Sequence, residues 1–151
     1  MPLKNYTSSV SAERSIAFIE KQLAAHGARD VLKRYDNNKR VSAIMFIVPV
    51  NGNDMPFKLP ARIAECERVL EGMLSSRARP ETRKKIPAQA ERTSWKIVSD
   101  WIEAQMAMID LAQVEMMEVF LPYLYDHRKE KTYFEAVKER GYAGLLTAPK
   151  A

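Results

Sequence analysis

Ala12, Ile16, Ile19 and Leu23 recur at i, i+4, i+7 and i+11, the spacing of one face of an α-helix, while Glu13, Glu20 and Lys21 fall on other sides. Ser11 suits the N-cap, because its hydroxyl accepts from backbone amides that lack an intrahelical partner, and Gly27 suits the end. The spacing predicts a first helix of about 15 residues. At Val31 the period shortens to two: Val31, Lys33 and Tyr35 alternate with Leu32 and Arg34, and Asp36-Asn37-Asn38 supplies a turn. Val41 to Val50 carries no charge, and its run Ile44-Met45-Phe46-Ile47-Val48 predicts a central strand covered on both faces. After a turn at Asn51-Gly52-Asn53-Asp54, Met55, Phe57 and Leu59 alternate with Pro56 and Lys58. Pro56 has no N–H to donate, which places this third strand at an edge. The three strands read as an antiparallel meander.

From Pro60 the pattern turns helical again. Pro60 suits the first helical position, and Ile63, Cys66, Leu70, Met73 and Leu74 form one apolar stripe. Between Ser75 and Pro87 the periodicity fails, and two prolines with five basic residues predict a mobile basic loop. A long helix from about Ala88 to Val114 follows, with Trp95, Val98, Ile102, Met106 and Ile109 as its stripe and Trp101 and Met108 widening it. Within Met116 to Tyr125, Pro122 is expected to kink the chain or to begin a fresh helical turn. Thr132 and Glu135 have capping-box spacing, opening a short helix that Gly141 ends. The tail is expected to dock through Leu145 and Leu146 and to fray from about residue 147. These elements describe an α+β fold: an N-terminal helix, a three-stranded antiparallel meander, and a mostly helical second half built on one spine helix.

Length bounds this picture, since 151 residues suffice for one sizeable core and argue for a single domain over 1–151. The lone Cys66 sits on the apolar stripe of the second helix and reads as a small buried hydrophobe. With one cysteine, no apolar leader and no run long enough to span a bilayer, the expected setting is the cytoplasm, with no membrane partner. The net charge of +5 is unevenly spread: residues 1–60 carry +4, residues 61–93 carry +3 and residues 94–151 carry −2. A polyanionic partner for the first two thirds is the expectation that this raises.

No catalytic constellation is legible, and the expectation is a protein that is not an enzyme. His26 and His127 lie far apart without metal-ligand spacing, so neither metal nor cofactor is expected. Asp100 and Glu103 share a helical face but lack a neighbouring nucleophile or phosphate loop, and read as a solvated acidic surface. The eight methionines and the two tryptophans read chiefly as core.

Three motifs carry a resemblance: Pro56-Phe57-Lys58-Leu59-Pro60-Ala61, the run from Gln89 to Gln105 containing Thr93-Ser94-Trp95 and Ser99-Asp100-Trp101, and Phe120-Leu121-Pro122-Tyr123-Leu124. Together they resemble small hypothetical proteins encoded by bacteriophages and prophages, over about Val10 to Leu146. The resemblance implies a phage setting, hence the host cytoplasm, and no activity. Two functional expectations follow. The first is a non-enzymatic accessory protein that contacts DNA or RNA phosphates through Arg77, Arg79, Arg83, Lys84, Lys85 and Arg92. The second is a protein-binding module that inhibits or modulates a host or phage protein through the acidic, Met- and aromatic-rich C-terminal region. The oligomeric state is not set by the sequence.

Overall fold

A computed structural model describes residues 2–150, and the fold is α+β. Helix α1 spans Ala12–Ala25, and Ser11 caps it by accepting from the Arg14 amide. Gly27, at φ +109°, takes the chain out of the helix in a backbone conformation that side chains resist. Strands β1 (Asp30–Tyr35), β2 (Val41–Val50) and β3 (Asn53–Pro60) form an antiparallel sheet in the order β1-β2-β3.

The turn chemistry is sharper than its composition suggested. In the first hairpin the left-handed residue is Lys39, and Asp36 makes this possible by accepting from the Asn38 and Arg40 amides. In the second, Asn51 and Gly52 both have positive φ and Val50 pairs directly with Asn53. That is a two-residue loop whose twist matches the strands. Asn53 and Asp54 therefore belong to β3 and not to the turn.

β2 is buried on both faces as expected: Ala43, Ile44, Met45 and Phe46 are buried in succession. Ile44, Phe46 and Val48 join the main core with Phe57 and Leu59 of β3. Ala43 and Met45 point to the other face. There Arg34 and Lys58, on the flanking strands, hold their charged groups 5.8 and 5.2 Å from the centre of the buried Tyr125 ring.

Helix α2 is Ile63–Met73. Pro60 does not open it. It closes β3 opposite Ala43, and the Ala61 amide extends the ladder to the Ser42 carbonyl, so two further residues pass before the helix begins. Ile63, Cys66 and Leu70 are buried, whereas Met73 is 38% exposed.

Helix α3 is Pro80–Lys84 and the spine helix α4 is Ile86–Asp110, which at 1.5 Å per residue is about 37 Å long. Much of the expected loop at 75–87 is thus helical. Pro80 and Pro87, read as breakers, each sit in the first turn of a helix, where a missing N–H costs nothing. Ile86, between them, is buried. At its far end α4 stops four residues early, with Ala112 at φ +57° and the Gln113 amide bonded to the Met108 carbonyl. No glycine marks this stop, so the sequence carried no sign of it. Along α4, Trp95, Ile102 and Met106 are fully buried and Ile109 is only partly so.

Helix α5 is Met116–Phe120, followed by a 3-10 turn at Leu121–Tyr123 containing Pro122. Two short strands, β4 (Tyr125–Asp126) and β5 (Lys131–Thr132), pair with each other, and neither was anticipated. Helix α6, Tyr133–Glu139, opens with the expected capping box of Thr132 and Glu135, and Gly141 follows it at φ +65°. The tail departs from expectation: Leu145 is half exposed and Leu146 fully so.

The residues before α1 form a strap laid along α4. Asn5 donates to Asp100 (2.8 Å), the Thr93 hydroxyl donates to the Asn5 carbonyl (2.9 Å), and Gln89 and Arg92 both donate to the Ser8 carbonyl. Lys4 and Lys96 complete the surroundings of Asp100. Burial alone would raise the Asp100 carboxyl, but hydrogen bonds from Lys96, Asn5 and Lys4 outweigh it and hold the group below its ordinary range. Asp100 is therefore a structural anchor, and Glu103 remains exposed on its own.

Candidate functional site

The six basic residues singled out in the sequence divide into two groups. Lys84, Lys85 and Arg92 converge on one cleft of about 550 Å³ between α2, α3, α4 and the N-terminal strap. Arg77, Arg79 and Arg83 do not line it. Arg79 is the N-cap position of α3, and Arg83 turns its guanidinium back toward the Ser75 carbonyl at 3.4 Å. All three are exposed and could extend a charged border, but they build no concave surface.

Local sequence explains the convergence. With Pro80 at its start, Glu81 in its first turn and Arg83 and Lys84 in its last, α3 has a charge order that suits its dipole. The chain then passes through Lys85 directly into α4, so Lys84 and Lys85 sit at the junction of two helices. Arg92 lies two turns further along α4. It is half-buried and held by the Ser8 carbonyl at 3.2 Å and by Gln89 Oε1 at 2.6 Å. Two of its nitrogens are thereby fixed and the remaining N–H groups are available, which orients the cation without flexible search.

The floor of the cleft is apolar. Leu70, Met73 and Leu74 come from the end of α2, and Ile86 and Ala88 from the start of α4. Tyr6, from the strap, forms a wall and is 41% exposed. Tyr6 and Met73 are the residues that sequence reasoning missed. Met73 and Leu74 end the α2 stripe beyond the buried positions, a signal of apolar surface left over. Tyr6 lies in a segment without periodicity and carried no such signal.

Cys66 and His26 lie outside this cleft. Cys66 is buried, which pushes its thiol above the ordinary cysteine range. His26 ends α1, with Nδ1 2.7 Å from the Gln22 carbonyl and Nε2 2.9 Å from Asp110, tying α1 to the end of α4. Among the described residues no group of three His, Cys, Asp or Glu side chains is placed to hold a metal, and no helix is long and apolar enough to cross a membrane.

The C-terminal region divides differently from its sequence reading. Met106 is buried and Met116 and Met117 pack against the core, while Met108 is partly exposed, so most of these methionines serve the core. The exposed large apolar side chains of this region are Leu111, at the end of α4, and Leu121, Tyr133, Phe134, Tyr142, Leu145 and Leu146. Comparison of the chain with protein-family models, curated proteins and solved structures found no match.

Proposed function

We propose that this protein binds single-stranded nucleic acid, as a non-enzymatic accessory protein of the phage or prophage setting that the sequence resemblance implies. The observation that carries the reading is the convergence of Lys84, Lys85 and Arg92 on a cleft with an apolar floor and an exposed Tyr6. Cations spaced along a rim neutralise successive phosphates, and an aromatic wall beside apolar side chains accepts the face of an unstacked base. Duplex hides those base faces, which favours a single strand. The positive end of the α4 dipole lies at the same cleft and adds to the attraction for phosphate.

The test is a titration of labelled oligo(dT) and oligo(U) at several salt concentrations. Neutralising three phosphates of a single strand gives a log–log salt slope near −2, at about −0.7 per phosphate. Lys84→Ala/Lys85→Ala should make it shallower by about 1.4. Arg77→Ala/Arg79→Ala should change it less. Absence of binding at low salt, or an unchanged slope in the Lys84/Lys85 variant, removes the proposal.

A second reading, a module that binds and modulates a host or phage protein, is favoured by the exposed apolar side chains around α6.

A further inference from the structure

A second concave surface lies where the end of β3 meets the 3-10 turn and α6. Its walls are Lys58, Pro60, Arg62, Pro122, Tyr123 and Phe134, and its volume is about 420 Å³. Lys58 and Arg62 both line it, and neither is ion-paired among the described residues. One acid, Glu135, shares the surface. Its carboxylate is engaged by the Thr132 backbone N–H at 3.0 Å, which closes the capping box of α6 and holds the group below its ordinary range. Lys58 and Arg62 also help to hold Glu135 ionised, so its charge offsets one of theirs and the surface keeps a net positive charge of one.

Pro122 and Phe134 also border a smaller pit of about 200 Å³. Its other walls, Leu121, Tyr133, Val137 and Tyr142 with Leu145, are apolar or aromatic. Four of these, together with Phe134, are more than 40% exposed, so apolar surface is gathered in one place instead of being scattered singly.

We propose that the two concavities act as one groove for a short, extended, acidic peptide segment of another protein. A branched or aromatic side chain fills the pit beside Phe134. A carboxylate two residues along, from Asp, Glu or a chain terminus, sits between Lys58 and Arg62. Side chains two apart on an extended chain share a face and are separated by about 7 Å, enough to straddle one aromatic ring. Walls rich in proline and aromatic rings suit an extended backbone, as in other grooves that accept such peptides. Charge complementarity selects an acidic segment over a basic one. Cations and aromatic rings also suit nucleotides; the peptide is preferred because the pit, about 200 Å³ and walled by Leu121, Tyr133, Val137, Tyr142 and Leu145, fits one apolar side chain. The inference deepens the protein-binding reading and is independent of the cleft at Lys84, Lys85 and Arg92.

The experiment is selection of a yeast-displayed library of random decapeptides on the purified protein, followed by fluorescence polarisation with the enriched sequences as synthetic peptides. Enriched peptides should carry Asp, Glu or a free carboxylate within two or three positions of Leu, Ile or Phe. Lys58→Glu/Arg62→Glu should weaken them at least tenfold and improve binding of the same peptides with Lys in place of the acid. Phe134→Ala should weaken them at least tenfold, while Lys84→Ala/Lys85→Ala leaves them unchanged. Circular dichroism checks that each variant keeps its fold, and Tyr142→Ala at the exposed rim of the pit gives a second probe. Enrichment of no peptide overturns this inference and leaves the protein-binding reading to the surface of a folded partner. Enriched peptides still held by the Lys58/Arg62 variant overturn the site alone, leaving protein binding to another surface. Competition by oligo(dT) for wild type that is lost on reversing Lys58 and Arg62 would assign the groove to nucleic acid and overturn the peptide.

Discussion

Replacing Phe46 by alanine tests the centre of the fold. Phe46 is 2% exposed, with its ring centre 5.2 Å from that of Phe57 in a stacked arrangement and 5.1 Å from that of Phe120 edge-on. Truncating a buried phenylalanine costs about 3 to 5 kcal/mol, in lost transfer energy and in a cavity that the surroundings fill only in part. Two aromatic contacts, each worth roughly 0.5 to 1.5 kcal/mol beyond area, place Phe46→Ala in the upper half of that range, about 4 to 5 kcal/mol. Phe57 belongs to the adjacent strand and Phe120 to α5, so relaxation into the cavity would disturb two elements at once. Phe46→Leu keeps most of the volume and loses the ring geometry, at a cost of about 1 to 2 kcal/mol. Urea unfolding followed by both tryptophan fluorescence and far-UV circular dichroism measures the difference. With a slope of about 2 kcal/mol per molar urea, the midpoint should fall by roughly 2 M for the alanine variant. A loss below about 1 kcal/mol, with coincident transitions, would refute the assignment of β2 as the buried centre of the sheet.

Acid should destabilise the protein through carboxylates that the fold holds below their ordinary range. Asp36 is held down by the Arg40 amide, Asp126 by the Lys129 and Arg128 amides, and Glu135 by the Thr132 amide, and in Asp100 its three side-chain partners overcome burial. Their folded values lie below the unfolded ones, so the stabilisation is present at neutral pH and is lost as pH falls through the depressed range. Urea midpoints measured from pH 7 to pH 3 should decline, and Asp100→Asn should flatten that decline. A wild-type midpoint independent of pH contradicts this. The Cys66 thiol, buried and raised, should react with a disulfide reagent only at the rate of unfolding, and prompt stoichiometric labelling in native buffer would show it to be accessible.

Elements with a complete local code were legible in the sequence. α1 has a cap, an apolar face and a terminating glycine, and α6 has a capping box and Gly141, so periodicity and end signals agree. Prolines 80 and 87 misled because proline forbids a helix interior and not its first turn, and the two cases look alike in sequence. The stop of α4 at Leu111 was invisible because an alanine takes the left-handed position normally marked by glycine or asparagine. Of the candidate cleft, only the cations were legible. Its floor joins Leu70 and Met73 to Ile86 and Ala88, and its wall, Tyr6, comes from the opposite end of the first half of the chain. No local pattern encodes such a meeting.

The strap carrying Tyr6 is joined to α4 by part-buried hydrogen bonds between residues 81 to 95 positions apart, one of them from the fully buried Thr93 hydroxyl, and Leu3 packs against the core. The wall of the cleft is thus held by contacts remote in sequence from the residues that form its floor. A molecule seated against Tyr6 binds only the docked form, so occupancy and docking become linked: at a hundred times its dissociation constant it adds about 2.7 kcal/mol to the docked state. The linkage runs both ways. Asp100 lines no part of the cleft but holds Asn5 of the strap, so Asp100→Ala should weaken binding at Tyr6, and hydrogen exchange in residues 3–8 should slow when the cleft fills.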